Sequence, residues 1–133
     1  MPPEAEEVRR WLEKAEHDRA GAEAALARVP PVTDVAAFHC QQAVEKLLKA
    51  YPVHCGQEFE RTHDLVELAA LCGRHDPAFA AFQDRVAQLT PYAVRFRYPG
   101  PADPPLEEVE AALAVVEDVF DLVLARLPSQ GVS

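Results

Sequence analysis

Basic residues are scarce in this chain. Lysine and arginine total 13 against 22 aspartates and glutamates, a net charge of −9 at pH 7. A protein that grips duplex DNA needs the opposite balance, so duplex DNA is not an expected partner. Cysteine is also sparse. Cys40, Cys55 and Cys72 are an odd number without a CxxC spacing, which argues against a disulfide framework or a zinc ribbon and for reduced structural thiols. No apolar run approaches the roughly 18 residues needed to cross a bilayer. The opening "MPPEAEEVRRW" is acidic where a secretory signal is basic and then apolar, so no membrane contact and a cytoplasmic location are expected. The five glycines form no GxxxxGK[ST], GxGxxG or GxSxG pattern, and HExxH is missing. The common mononucleotide and hydrolase signatures are therefore absent. The dipeptide His-Cys occurs twice, but neighbours on a helix diverge by about 100°, so His39 and Cys40 do not share an ion. No metal or cofactor is expected.

Apolar residues, in contrast, are plentiful. They make up 49% of 133 residues, enough for one domain spanning residues 1–133 around one core. The pattern is helical throughout, cut by prolines and glycines. A first helix is expected from about Glu4 to Ala27, ended by Pro30-Pro31. A second, capped by Thr33 or Asp34, should reach Tyr51, where Pro52 kinks or stops it. "THDLVELAALCG" reads as a short helix with Thr62 as N-cap and Gly73 just past its end. Asp76-Pro77 should open a fourth helix running to about Thr90. Asp103-Pro104 should open the last. There Leu106, Val109, Leu113, Val116, Phe120, Val123 and Leu127 alternate steps of three and four, as a packed seam requires. Val115, Val119 and Leu122 form a second strip beside it, which suggests cover by a partner helix in a homodimer. No strand alternation or repeat is visible, so the expected class is an all-α up-and-down bundle.

Three segments carry candidate chemistry. In "FHCQQAVEKLLKAY", Cys40, Ala43, Val44, Leu47, Leu48 and Tyr51 share one side of a helix. His39, Gln42, Glu45, Lys46 and Lys49 gather on the other. That polar stripe is either a solvated face with a Glu45–Lys49 pair or a groove that holds an anion or a partner. "THD" offers His63 as a general base, or Thr62 and Asp64 as simple helix starters. "YAVRFRYPG" interleaves Arg95 and Arg97 with Tyr92, Phe96 and Tyr98, a mixture suited to a phosphate with a stacked base, or to arginines anchored in their own bundle.

Taken together, "FHCQQAVEKLLKA", then "THDLVEL", then "RFRYP" resemble the HEPN family of small helical nucleotide-binding domains. The resemblance extends over most of the chain, from the helix with Trp11 and Asp18 to "RYP". It implies an antiparallel four- to five-helix bundle that usually dimerises and a link to nucleotides or RNA. It also implies a minimal nucleotidyltransferase as partner in a two-component, toxin–antitoxin-like module. By position, Gln42, Glu45, Lys46, Lys49, His63, Asp64, Arg97 and Tyr98 match the family's elements, and with Arg95 they make up the expected ligand or phosphate site. Toxin-like ribonuclease members carry an arginine followed by a histidine after four to six residues, late in the bundle. Here no histidine follows Arg95 or Arg97, and Arg10 with His17 has the spacing only in the first helix. A binding module is therefore expected rather than an enzyme. The alternatives are a metal-independent ribonuclease using His63 or a structural regulatory dimer.

Overall fold

A computed structural model describes residues 3–59, 61–95, 99 and 102–128. Among them are five α-helices and no strand: α1 (Pro3–Ala27), α2 (Thr33–His54), α3 (Leu65–His75), α4 (Gln83–Ala87) and α5 (Leu106–Arg126). The buried side chains form one cluster, and α2 lies within it, packed against α1, α3 and α5. Helix α1 is rich in alanine and glutamate, strong helix formers. It buries a single stripe of Val8, Ala15, Asp18, Ala22 and Ala25. Those small side chains let α2 approach closely. The α1–α2 contacts run in opposite order along the two helices: Trp11 meets Lys49, Asp18 meets Lys46 and His39, and the Val32 N–H donates to the Ala25 carbonyl at 3.0 Å.

Several element ends differ from the sequence expectation. Helix α2 does not stop at Tyr51; it continues through Pro52 to His54. Proline has no N–H to give to the carbonyl four residues earlier, that of Leu48. The Cys72 thiol, arriving from α3, donates to that oxygen at 3.2 Å. Burial pushes this thiol up to about 12, and the same cause pushes Cys40 up to about 12. Both are free and structural. Asp64, not Thr62, is the N-cap of α3, accepting from the Val66 N–H at 2.9 Å. Thr62 stands just before it, accepting from the Asp64 N–H and donating to Glu67. Gly73 lies inside α3, which ends two residues later.

The expected long fourth helix is broken. A 3₁₀ segment occupies Pro77–Phe82, α4 has five residues, and a second 3₁₀ turn spans Thr90–Ala93. Asp76 does cap the first of these, accepting from the Ala78 N–H at 2.9 Å, while its other oxygen takes Arg126 from α5. The chain is tied there to the far end of the last helix. Helix α5 begins at Leu106 after Pro105, later than Asp103-Pro104 suggested. Its seam is buried except at its start and edge: Leu106 is exposed and Leu113 half-buried. The second strip is a correction. Val115 and Val119 are 7% and 1% exposed within the single chain, and Leu122 is half-buried. The chain itself covers the surface that motivated a dimer.

The Leu48–Pro52–Cys72 arrangement yields a stability prediction. Cys72→Ala removes a buried donor and should destabilise by about 1–2 kcal/mol. Pro52→Ala restores an N–H within α2, so in that background the same change should cost measurably less. Urea unfolding of the four proteins checks this; strictly additive changes would show that the thiol does not serve the carbonyl.

Candidate functional site

The polar stripe of α2 is largely drawn out of water. Glu45 and Lys49 are buried at 4% and 8% exposure, with Gln41 beside them at 0% and Asp18 on α1 at 7%, while His39, Gln42 and Lys46 are half-buried. Charges taken out of water must be paired and hydrogen-bonded, and these divide into two groups. In the first, the Asp18 carboxylate sits between His39 and Lys46. Its Oδ1 is 2.8 Å from His39 Nδ1 and its Oδ2 accepts from the Lys46 ammonium. Gly21, one turn beyond Asp18, leaves room for the imidazole. A Cβ there would lie 3.2–3.3 Å from the His39 ring.

The second group centres on Glu45. Its Oε2 accepts from Lys49 at 2.9 Å and its Oε1 from Gln41 at 2.9 Å. His63 Nδ1 lies 3.0 Å from both oxygens. A carboxylate acceptor there puts a hydrogen on Nδ1 and leaves Nε2 directed elsewhere. Gln42 completes the set by donating to the Gln41 side-chain oxygen Oε1 at 2.6 Å. Burial alone pushes the Glu45 carboxyl up, but bonds from Lys49, Gln41 and His63 outweigh it and hold the group below its ordinary value. The cap on α3 is what delivers His63. Asp64 fixes the helix start, and the residue before it therefore ends against α2.

A cavity of about 840 Å³ opens beside the second group. Its floor is Lys49 with Trp11 and Phe59; the ammonium lies 5.4 Å and 5.9 Å from the two ring centres. Arg61, Thr62 and His63 line it from the segment before α3, Glu4 and Glu7 from α1, and Glu58 from the loop after α2. Gly56, at φ +74°, turns the chain out of α2 and brings Phe59 back over Trp11. Only a residue without a Cβ adopts that angle cheaply. Among the described residues, no group of three or more histidine, cysteine or acidic side chains could hold a metal ion.

The structure thus places Gln42, Glu45, Lys49 and His63 together. It sends Lys46 to Asp18, and it uses the Asp64 side chain as a helix cap. Arg95 is exposed, one helical turn past Tyr92, whose hydroxyl donates to Glu108. Arg97 and Tyr98, and with them the expected approach of "RFRYP" to the stripe, lie outside the described residues. Sequence reading gave no site role to Asp18, Gln41, Trp11, Phe59 or Arg61. Gln41 falls between the two stripes of α2, and Phe59 and Arg61 sit on a loop with no period to read. The spacing Glu4, Glu7, Trp11 does put three cavity residues on one face of α1.

Two predictions test the clusters. Glu45→Gln strips the counter-ion from a buried ammonium and should cost about 3 kcal/mol or more. Because the folded Glu45 value lies below the ordinary 4.5, its contribution is complete above that pH and is lost as pH falls through the folded value. Urea unfolding of wild type should therefore weaken more steeply below pH 4.5 than that of Glu45→Gln. Gly21→Ala gains roughly 1 kcal/mol of helix propensity but crowds His39. It should therefore stabilise a His39→Ala protein by more than it stabilises wild type, as read from paired melting curves.

A family model described as HEPN domain matches residues 8–127. No curated protein and no solved structure matches the chain. The matched span includes α2, the THD step and all but the first turns of α1, and so takes in both buried charge clusters and most of the cavity. The chain belongs to the HEPN domain family.

Proposed function

We propose that this HEPN domain is a nucleotide- or RNA-phosphate-binding module that works as the partner of a minimal nucleotidyltransferase in a two-component, toxin–antitoxin-like system. The observation that carries the binding reading is the Lys49 ammonium. It is nine-tenths buried, yet it floors an open cavity with two aromatic rings. Base stacking on Trp11 or Phe59 would contribute about 1–3 kcal/mol. Arg61 and the free edge of His63 stand where a phosphate would enter. Lys46, committed to Asp18, contributes to this reading only by holding α1 against α2. The order of the α1–α2 contacts supports an antiparallel up-and-down arrangement. The homodimer implied by the resemblance would need a face other than the buried Val115–Val119 strip. The partner reading rests on the family and is tested by co-purification with a nucleotidyltransferase encoded next to it.

The second reading is a metal-independent ribonuclease, and the Glu45–His63 pair favours it. A carboxylate that fixes Nδ1 of an imidazole prepares Nε2 for proton transfer. The absence of a histidine after Arg95 and Arg97 weighs against the route of the toxin-like relatives.

Trp11 is the only tryptophan, so its fluorescence reports on the cavity directly. Mononucleotides and short single-stranded RNA should quench it saturably, and Arg61→Ala or His63→Ala should weaken binding by roughly 10-fold, the loss of one charged hydrogen bond. Both side chains are exposed, so the variants should fold. Unchanged fluorescence up to millimolar nucleotide would remove the binding reading. RNA cleavage abolished by His63→Ala would promote the second one.

A further inference from the structure

The cavity lining holds both donors and acceptors, and we propose that it selects guanine among the bases, an inference that rests on the nucleotide reading above. On its floor, Lys49 carries three N–H donors, of which the bond to Glu45 uses one. Glu4, Glu7 and Trp11 line the same cavity from one face of α1. The Trp11 indole N–H donates to Glu7 Oε2 at 3.3 Å, and among the described residues Glu7 Oε1 accepts nothing. A guest there must offer a flat face to Trp11 and Phe59, acceptors to Lys49 and donors to the glutamates.

That pattern discriminates. A cationic side chain of a partner protein suits the glutamates but meets the Lys49 charge beside the same rings. Uracil has a single ring donor, flanked by two acceptors. Adenine and cytosine offer a carboxylate only their exocyclic amine, with a ring acceptor beside it that repels the second oxygen. Guanine alone carries two acceptors, O6 and N7, on one edge, and N1–H with the N2 amine on the adjoining edge. Lysine reads the first edge. A carboxylate can accept both donors of the second, as it does from the paired N–H groups of a guanidinium. The α1 acids, which would oppose a bare phosphate, become the reading groups, while Arg61 and His63 remain for the phosphate.

The test is a titration of GMP, IMP, AMP and UMP followed by Trp11 fluorescence, with wild type and the Glu4→Gln/Glu7→Gln protein. Both glutamates are exposed, so the variant should fold, and glutamine can still accept the indole N–H. GMP should bind roughly 10-fold or more tightly than AMP or UMP, the scale of one good bidentate base contact. IMP, which lacks the N2 amine, should lose most of that advantage, and the double variant should bring the GMP-to-IMP ratio towards one. Equal affinities for GMP, AMP and UMP, or a ratio unmoved by the variant, overturn guanine selection while nucleotide binding stands. If no nucleotide quenches Trp11, both readings fall; quenching by an arginine-rich peptide instead would assign the α1 acids to a protein partner.

Discussion

Glu45 carries a negative charge into the interior of a helical protein, and the groups around it are arranged by what that charge requires. A buried carboxylate is tolerated when its lone pairs are filled. Three side chains supply the donors: Lys49 one turn along α2, Gln41 one turn back, and His63 from the segment before α3. Because His63 must reach Glu45, the start of α3 is fixed against α2. Because Lys49 must reach it too, the ammonium is drawn under Trp11 and Phe59 instead of out to water. The cavity is a consequence of that geometry. Its floor is polar where the bundle core is apolar, and its walls come from separate parts of the chain.

Asp18 does the same work on a smaller scale between α1 and α2. One carboxylate oxygen takes His39 and the other takes Lys46, seven residues apart on the same face of α2. The pair sets how α1 lies along α2, and Gly21 supplies the space for the imidazole at the cost of a weaker helix position. The register of α1 in turn decides which of its side chains stand at the cavity. Glu4, Glu7 and Trp11 reach it because Asp18, two to four turns later, is fixed.

The third constraint is backbone. Pro52 does not break α2, since its missing hydrogen bond is met from outside the helix by Cys72. The helix therefore runs on to His54, and the turn at Gly56 starts where it can bring Phe59 back over Trp11. Had α2 ended at Tyr51, the loop would begin nearly a turn earlier and meet a different part of α1.

That the chain is helical, and where α1, α2 and α5 lie, could be read without any tertiary information. Their apolar spacing and proline punctuation are local properties, written residue by residue along each helix. The sequence also singled out Glu45, Lys49, Gln42 and His63, because these residues form recognisable short patterns. That Glu45 and Lys49 are buried is a property of the packing, since burial depends on what lies against a face and not on the face itself. The same holds for Val115 and Val119, whose apolar character cannot say whether the chain or a second copy covers them. Asp18, Phe59 and Arg61 were invisible as site residues for a related reason. They reach the stripe and its cavity from elements distant in the chain, and no spacing within one helix records a contact across two.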